Sequence, residues 1–358
     1  MPTNRSIPIL VILGPTASGK SDLAVDIARS IANYRIGGYS GAEIVSADSR
    51  QVYRGLDIGS GKITKKEMKG VPHHLLDVAD SRKQFSAERF QKLAHESIRN
   101  IAARGKLPII CGGTGFYIDA VVNGTVFPAV TVDKELRAKL ADKSAEQLII
   151  MLSKLDPARA RVMAANNSAR HNCRRLIRAI EVARRLGADQ PTIQVQKKED
   201  WQTDQTNEWP AETSHTSDRL LPHLRDKYNP IFIGIKPGPN ELRRRIHDRL
   251  IKRLHRGMLA EARRLHRPIR DGGSGLSWKR MEELGLEYRY MALFLQGKIE
   301  RDAMIEKLET EIWRYSKRQM TWFKRDSRIR WFSPDQRGLP WLISGLTVKL
   351  VQKKIAAP

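Results

Sequence analysis

Apolar residues in the first third of the chain fall into short continuous runs that alternate with amphipathic stretches. The runs at 7–13, 43–46 and 107–111 predict buried β-strands. The residues between them, most clearly 86–104, have the spacing of an amphipathic helix. Strands that are buried on both faces and alternate with helices form a parallel sheet covered by helices. The pattern therefore predicts an α/β fold.

The pattern changes after Gly124. Residues 133–187 are basic, and their apolar positions recur at helical spacing, which predicts an all-helical insertion. Those apolar positions include Leu136, Leu140, Leu148, Leu152, Leu176, Ile180 and Val182. Residues 188–228 are polar, rich in threonine and without a regular period, which indicates a long, mobile connection.

Strand and helix signals return after this connection. The run at 231–235 predicts a further strand of the sheet, and two basic helices are predicted at 240–265 and about 302–324. Four segments follow from these patterns: 1–124, the first part of the α/β core; 125–228, the helical insertion and the connection; 229–335, the completion of the core with the long basic helices; and 336–358, a peripheral C-terminal tail.

The net charge points to the class of partner. The 358 residues include 64 Lys and Arg against 39 Asp and Glu, a formal charge of +25. Clustered cations bind phosphate backbones through counterion release, so this excess favours a polyanionic partner over a merely solubilising surface. Charge alone does not separate RNA, DNA and acidic membranes.

The expected compartment is the cytoplasm. No apolar stretch approaches the ~20 residues that a membrane-spanning helix needs. The first predicted strand follows the N-terminus directly, which argues against a signal peptide. The two cysteines, Cys111 and Cys173, are more typical of small buried hydrophobes than of a disulfide or of metal ligands.

A glycine-rich loop, "GPTASGKS", joins the first strand to the first helix and matches the phosphate-binding pattern G-x-x-x-x-G-K-S/T in full. Its backbone N–H groups and Lys20 would face phosphate oxygens, and Ser21 would ligate Mg²⁺. This context predicts a P-loop NTPase-like sheet that binds a di- or triphosphate, but it does not specify the reaction. The expected diphosphate-binding residues are Gly14, Pro15, Thr16, Ala17, Ser18, Gly19, Lys20 and Ser21.

Two further polar residues follow predicted strands. Asp48 comes after the second strand, and Thr114 lies in the Gly112–Gly115 turn after the third. Because ligands bind at the carboxyl ends of parallel strands, both residues should lie close to the glycine-rich loop. Asp48 could accept a proton from a nucleophile or could cap the segment that follows it, and both interpretations remain open.

Several segments together resemble the tRNA dimethylallyltransferase (tRNA isopentenyltransferase) family of the bacterial type. They follow one another in the family's order and cover most of residues 7–335, and the second is much more specific than a glycine-rich loop. The segments are "GPTASGKSDLA" (14–24), "EIVSADSRQVYRGLDIGSGK" (43–62), "VPHHLLDV" (71–78), "GKLPIICGGTGFYIDAVVNG" (105–124), "LDPARA" (155–160), "NCRRLIRAIEV" (172–182) and "SKRQMTWFKRD" (316–326).

The resemblance implies a reaction. A dimethylallyl group would pass from dimethylallyl diphosphate to the exocyclic amine of the adenosine immediately 3′ of the anticodon in tRNA. The glycine-rich loop and Mg²⁺ would hold the leaving diphosphate, with Arg178 nearby. Asp48 would be the general base, assisted by Thr114 and Lys20. A monomer is expected.

The resemblance also implies a set of contacts with the tRNA anticodon stem-loop. The implied residues are Asp48, Ser49, Arg50, Gln51, Thr114, Arg137, Arg174, Arg175, Leu176, Ile177, Arg178, Lys317, Arg318, Gln319 and Trp322. The match is loose at 275–289, which weakens the expectation of RNA contacts there.

Three alternatives use the same motifs. An adenylate isopentenyltransferase would prenylate free AMP, ADP or ATP and would not need the basic insertion. A P-loop kinase would use Asp48 to activate a hydroxyl, but the "ADSRQVYRGLDIG" run argues against it. A non-catalytic RNA-binding protein would have no reason to keep Lys20, Ser21, Asp48 and Thr114 together.

Overall fold

The computed structural model describes residues 6–166, 169–187, 227–336, 338–340, 342–343 and 345. The chain divides into two compact units, one formed by Met1–Gly124 with Leu220–Pro358 and the other by Thr125–Arg219. The predicted connection at 188–228 lies outside the described residues except for its last two positions, as does most of the predicted tail. Within the described residues, no helix is long and apolar enough to cross a membrane.

The first unit contains a sheet of six parallel strands among the described residues. In chain order these are β1 (Ile7–Leu13), β2 (Ala42–Ser46), β3 (His73–His74), β4 (Leu107–Gly112), β5 (Tyr228–Ile235) and β6 (Arg330–Phe332). Their spatial order is β3-β2-β4-β1-β5-β6. The four predicted strands and the parallel α/β class are confirmed. The two edge strands, β3 and β6, are too short to leave a periodic signal in the sequence.

Thirteen α-helices lie within the described ranges. In chain order these are α1 (Lys20–Tyr34), α2 (Lys65–Met68), α3 (Ala87–Ala103), α4 (Gly115–Val122), α5 (Lys134–Leu140), α6 (Ala145–Leu155), α7 (Pro157–Ala165), α8 (Cys173–Leu186), α9 (Pro239–His255), α10 (Met258–His266), α11 (Trp278–Leu284), α12 (Leu286–Leu295) and α13 (Arg301–Phe323).

The central strand β1 is apolar on both faces because both faces of the sheet are covered. Ile9, Val11 and Leu13 belong to one buried cluster, which also takes in α3, α4 and the helices that follow β5. Leu10 and Ile12 belong to a second cluster on the opposite face, together with α1. The alternation along one strand therefore places helices on both sides of the sheet, as the continuous apolar run predicts.

The single helix predicted at 240–265 is wrong. Two helices, α9 and α10, occupy this stretch, and the chain turns between them at Gly257, whose φ of 95° lies in the left-handed region that glycine adopts readily. The every-fourth apolar spacing continues across the break because Leu254 and Met258 both pack against the same core. Periodicity alone could not locate the turn.

The regular secondary structure in the described part of the second unit is entirely helical. Its core contains Leu136, Leu140, Leu148, Leu152, Leu176 and Ile180, the apolar positions that indicated a helical insertion. Short polar side chains cap the helix N-termini: Asp133, Ser144, Asp156 and Asn172 each accept a hydrogen bond from a backbone N–H in the first turn. The helix boundaries thus follow from local sequence, and the buried leucines hold the helices together.

Candidate active site

The glycine-rich loop forms a tight turn between β1 and α1. Ala17 and Gly19 have φ angles of 61° and 86°, so the chain reverses its curvature twice before α1 begins at Lys20. Lys20 Nζ donates a hydrogen bond of 3.1 Å to the carbonyl of Pro15. Burial lowers the pKa of Lys20, although nearby acidic groups partly offset this shift. An anion placed inside the loop would offset the cost of burying the Lys20 ammonium group.

Asp48 lies just beyond β2 with its carboxylate fixed in place. Its Oδ1 accepts hydrogen bonds from the backbone N–H groups of Arg50 at 2.8 Å and Gln51 at 3.3 Å. The capping interpretation of Asp48 is therefore correct, and it is compatible with the catalytic one. The cap orients the carboxylate, and Asp48 also lines the pocket that contains Lys20.

Thr114 connects the Asp48 turn to the glycine turn after β4. Its Oγ1 accepts a hydrogen bond of 3.1 Å from the backbone N–H of Ser49, and its own N–H donates to the carbonyl of Ala47 at 3.1 Å. The ends of β2 and β4 are thereby held side by side. This is the meeting of Asp48 and Thr114 that the parallel-sheet rule predicts.

Gln319, on α13, links two loops of the site. Its Oε1 accepts a hydrogen bond of 2.8 Å from the backbone N–H of Thr16, and its Nε2 donates one of 2.8 Å to the carbonyl of Gly113. The side chain is only 6% exposed. The amide thus braces the glycine-rich loop, and the implied contact of Gln319 with tRNA stays a prediction.

Helix α13 can approach these loops so closely because the turn after β4 is rich in glycine. A Cβ on Gly113 would lie 2.2 Å from Gln319 Nε2, and a Cβ on Gly115 would lie 2.2 Å from Trp322 Cδ1. Any larger residue would push the helix away. The "GGTG" stretch, weak as a motif by itself, thus has a definite packing role.

A single pocket brings the predicted groups together in the first unit. It is lined by Thr16, Lys20, Ser21, Ala24, Ile44, Ser46, Asp48, Gln51, Ser60, Ile63, His73, Cys111, Gly112, Arg249, Tyr315 and Gln319. Among the predicted diphosphate ligands, Thr16, Lys20 and Ser21 line it. Asp48 and Gln51 line it as well, whereas Thr114 does not.

Sequence reasoning missed Arg249, the second cation of the pocket. Its Nη2 donates a hydrogen bond of 3.0 Å to the carbonyl of Gly61, and its Nη1 lies 3.5 Å from Thr16 Oγ1. Burial, and then the neighbouring Arg253, lower the pKa of Arg249. In "RRRIHDRLIKR" nothing distinguishes this arginine from those that face solvent. Only the register of α9 could have singled it out.

Tyr315 was also missed, because it lies in the basic stretch of α13. It lines the pocket, and its side chain lies close to Thr114. Burial raises the pKa of Tyr315 to about 12, so the phenol stays protonated at neutral pH. A neutral hydroxyl beside Asp48 and Thr114 can orient a polar substrate group.

A buried carboxylate fixes the loop that forms one wall of the pocket. Glu261 accepts hydrogen bonds from the backbone N–H groups of 57–59 at 3.1, 2.7 and 2.9 Å, and from the hydroxyl of Tyr288 at 2.9 Å. Of the next two residues of the loop, Ser60 lines the pocket and Gly61 accepts the hydrogen bond from Arg249. Glu261 lies some two hundred positions from this loop, so no local pattern could reveal it.

Lys62, the last residue of the "GSGK" stretch at 59–62, has a structural role. Its ammonium group donates to the carbonyl of Tyr53 at 2.9 Å and to a carboxylate oxygen of Asp57 at 2.7 Å, and it pairs with Asp77 as well. The lysine closes the loop that Glu261 holds.

The predicted tRNA residues of the second unit divide into paired and exposed groups. Arg137 and Arg178 both bond to the buried carboxylate of Glu181, at 2.6 and 3.1 Å. Arg174 and Arg175 are exposed. Ile177 is half-buried against the core of the unit.

Leu176 differs from its neighbours on α8 in its burial. Its side chain is fully buried in the core of the helical unit, and its implied contact with tRNA stays a prediction. The residue occupies the inward face of α8, opposite the exposed arginines that precede it.

The remaining predicted RNA residues lie on α13. Lys317 and Arg318 are exposed. The indole Nε1 of Trp322 donates a hydrogen bond of 2.8 Å to Asp119 Oδ2. Burial raises the pKa of the Asp119 carboxyl to about 6. Helix α13 thus combines an inward polar face with an outward basic one.

Comparison with known proteins gives a consistent result. The sequence model of a family described as IPP transferase matches residues 51–326. The chain is 39% identical over 328 residues to a protein named tRNA dimethylallyltransferase 2 from Trichlorobacter lovleyi, covering 92% of this chain and 91% of that protein. It is 38% identical to the protein of the same name from Pelobacter propionicus, with coverages of 89% and 86%.

Solved structures agree with the sequence comparisons. The tRNA isopentenylpyrophosphate transferase of Bacillus halodurans superposes with a TM-score of 0.63 at 29% identity, over 99% of this chain and 100% of that one. A eukaryotic dimethylallyltransferase acting on tRNA shares the fold, with a TM-score of 0.66 at 21% identity over 98% of this chain and 78% of that one. From these matches, the chain belongs to the tRNA dimethylallyltransferase family.

Proposed function

We propose that the chain transfers a dimethylallyl group from dimethylallyl diphosphate to the exocyclic amine of the adenosine immediately 3′ of the anticodon in tRNA. The observation that carries this proposal is one pocket lined by Lys20 and Ser21 of the phosphate loop, by Asp48 and by Arg249. Two cations can hold a diphosphate there, and a carboxylate stands within the same enclosure to receive a proton.

The diphosphate would lie between the glycine-rich loop and α9. Lys20 and the loop N–H groups would neutralise it from one side, and the Arg249 guanidinium, fixed by the Gly61 carbonyl, from the other. Both cations have pKa values lowered mainly by burial, so an anion between them relieves the cost of their desolvation. The pocket is thereby built for a leaving group of high negative charge.

A Mg²⁺ ion fits this donor set. Proteins often bind Mg²⁺ through one or two side-chain oxygens together with substrate phosphates and water. Ser21 lines the pocket, and the described residues contain no group of three or more His, Cys, Asp or Glu that could hold a metal by itself. Ser21 would hold the ion against the diphosphate, where its charge stabilises the departing oxygens.

Asp48 would act as the general base. The adenine amine is a poor nucleophile because its lone pair is delocalised into the ring. As the new C–N bond forms and the C–O bond to diphosphate breaks, the amine proton passes to the Asp48 carboxylate. The Arg50 and Gln51 N–H groups hold that carboxylate in position. Thr114 and Tyr315, which lie close together, are placed to orient the adenine.

The excess positive charge favours tRNA over a free nucleotide as acceptor. The exposed Arg174 and Arg175 and the basic face of α13 have no evident use in prenylating AMP, whereas an RNA backbone would engage both. Free thiols at Cys111 and Cys173 support action in the reducing cytoplasm.

The decisive experiment offers both acceptors in parallel. The protein is incubated with Mg²⁺, dimethylallyl diphosphate and either a tRNA transcript or AMP, and prenylated adenosine is sought by mass spectrometry. A transcript carrying guanosine in place of the target adenosine is the matched control. Product in the adenosine transcript alone supports the proposal. Product in AMP alone identifies an adenylate isopentenyltransferase, and ATP consumption without prenylation identifies a kinase.

A further inference from the structure

An aromatic side chain stands exposed next to the site and has no role in the chemistry above. Phe116 lies in the first turn of α4, two residues after Thr114, and is 38% exposed. A single exposed apolar residue is ordinary on a protein surface. Its position beside Thr114, and its neighbours, make this one informative.

The ring behind Phe116 is rigidly held. Trp322 meets Phe116 edge to face, with ring centroids 6.3 Å apart and an interplanar angle of 79°. Trp322 is itself fixed by its hydrogen bond to Asp119 and by its close approach to Gly115. Two aromatic rings from different elements therefore form one surface, termed here the aromatic step, which consists of Phe116 and Trp322.

The surroundings of the aromatic step are cationic. The Arg325 guanidinium lies 5.0 Å from the centre of the Trp322 ring, and Lys324 beside it is exposed. Flat apolar faces bordered by cations match a ligand with planar rings and negative charge, which is the chemistry of a nucleotide in RNA. A neutral lipid or an apolar peptide would match the rings but not the arginine, and an anionic lipid headgroup would match the arginine but carries no planar ring.

The position of the aromatic step indicates which part of an RNA it would bind. Thr114 is bonded to the backbone of Ser49, next to Asp48, so the aromatic step lies beside the place where an adenine would react. An adenine that enters the pocket must leave the stack of its RNA loop, and its departure uncovers the faces of the flanking bases. A protein ring held close to Thr114 can replace the lost stacking.

We infer that Phe116, supported by Trp322, stacks against the RNA base that flanks the target adenosine. The inference rests on the proposed function for the identity of the RNA. It makes Phe116 a binding residue for the loop, which favours the state in which the target base has left its stack. Because α4 holds Phe116 at a fixed distance from Thr114, the contact would also align the adenine with Asp48.

The test uses an anticodon stem-loop in which 2-aminopurine replaces one or the other base flanking the target adenosine. Stacking on a protein ring quenches its fluorescence. With Phe116→Ala we expect the quenching to disappear and the Kd of the stem-loop to rise about 5- to 100-fold. Phe116→Tyr and Phe116→Trp should retain both signals, whereas Phe116→Leu, which is apolar but has no ring, should behave like alanine.

Controls separate this role from others. Tyr34→Ala removes an aromatic side chain that is 60% exposed at the C-terminal end of α1, and it should change neither the quenching nor the Kd. If Phe116→Leu binds as tightly as wild type, or if quenching persists in Phe116→Ala, the stacking role is refuted. It is also refuted if only the KM for dimethylallyl diphosphate rises, because Phe116 would then line the path of the prenyl chain.

The fluorescence readout needs no turnover, so it remains informative if the proposed reaction fails. A wild-type protein that quenches the probe but transfers no prenyl group would preserve the aromatic step and overturn the proposed function. A wild-type protein that transfers the group but quenches the probe at neither flanking position would support the proposed function and refute the stacking role of Phe116.

Discussion

The two compact units hold their polar side chains in different ways. In the first unit, side chains of the site bond to the backbone of distant segments: Gln319 bonds to Thr16 and Gly113, and Arg249 bonds to Gly61. In the second unit, Arg137 and Arg178 pair with Glu181 of the same unit, and other arginines face solvent. The first arrangement fixes geometry, and the second supplies charge.

This difference predicts two kinds of mutational effect. Disturbing a group whose position has been fixed by several buried hydrogen bonds changes the rate of the chemical step, because catalysis depends on orientation within fractions of an ångström. Removing an exposed arginine changes affinity in a manner that salt can screen. The first unit should therefore respond in kcat and the second in the salt dependence of tRNA binding.

The largest effect is expected for Asp48→Asn. The amide retains an oxygen that can accept from the Arg50 and Gln51 N–H groups, so the turn should survive, but it cannot take a proton. We expect kcat to fall about 10²- to 10⁴-fold with little change in the Kd for tRNA, measured by single-turnover transfer and by filter binding.

Asp26→Asn is the matched control for this variant. Asp26 lies on α1 of the same unit and pairs only with the exposed Lys69 among the hydrogen bonds of its carboxylate seen in the described residues. Transfer by Asp48→Asn at a rate within threefold of the control would mean that solvent, rather than this carboxylate, receives the proton.

Gln319→Leu distinguishes the structural role from the RNA contact that the family resemblance implied. The leucine leaves the Thr16 N–H and the Gly113 carbonyl without their partner, at a cost of about 1–3 kcal/mol for each buried group. Because both the phosphate loop and the Thr114 turn would lose their brace, we expect kcat/KM to fall about 10- to 100-fold for both substrates in steady-state kinetics.

Gln296→Leu controls for the loss of a glutamine. Gln296 is also partly buried, but it bonds to Glu282 and Ala292, far along the chain from the pocket-lining residues. If Gln319→Leu raises only the KM for tRNA, Gln319 contacts the RNA and the proposed bracing role is refuted.

The sequence was sufficient to predict those parts of the fold and of the site whose residues follow one another along the chain or directly follow a strand. The β1 strand, the phosphate loop and α1 follow one another along the chain, and Asp48 and Thr114 each follow a strand, so the parallel-sheet rule alone brings them together. The apolar positions of α5 to α8 likewise identified the core of the helical unit.

Partners that are distant along the chain could not be predicted in this way. Gln319 lies 303 residues from Thr16, and Arg249 lies 188 from Gly61. Which arginine of α9 turns inward depends on how α9 packs on the sheet, and the sequence around it is uniformly basic. The burial of Glu261 could not be predicted either. An acidic residue on an amphipathic helix is expected to face solvent, and the backbone groups that Glu261 binds lie far away along the chain.

The smallest effect on turnover is expected for the double change of Arg174 and Arg175 to Ala. Both are exposed on α8, so folding should be unaffected. If each neutralises one phosphate, the slope of log K against log salt should become shallower by about 1.5–2, while kcat at saturating tRNA stays constant.

The matched control changes Arg184 and Arg185, which are exposed in the last turn of the same helix, and removes the same charge. Equal slopes for the two double variants would mean that α8 acts through its total charge. A shallower slope for the first pair alone would place the RNA at the N-terminal end of α8. The second unit would then contribute specific contacts with the RNA through exposed arginines.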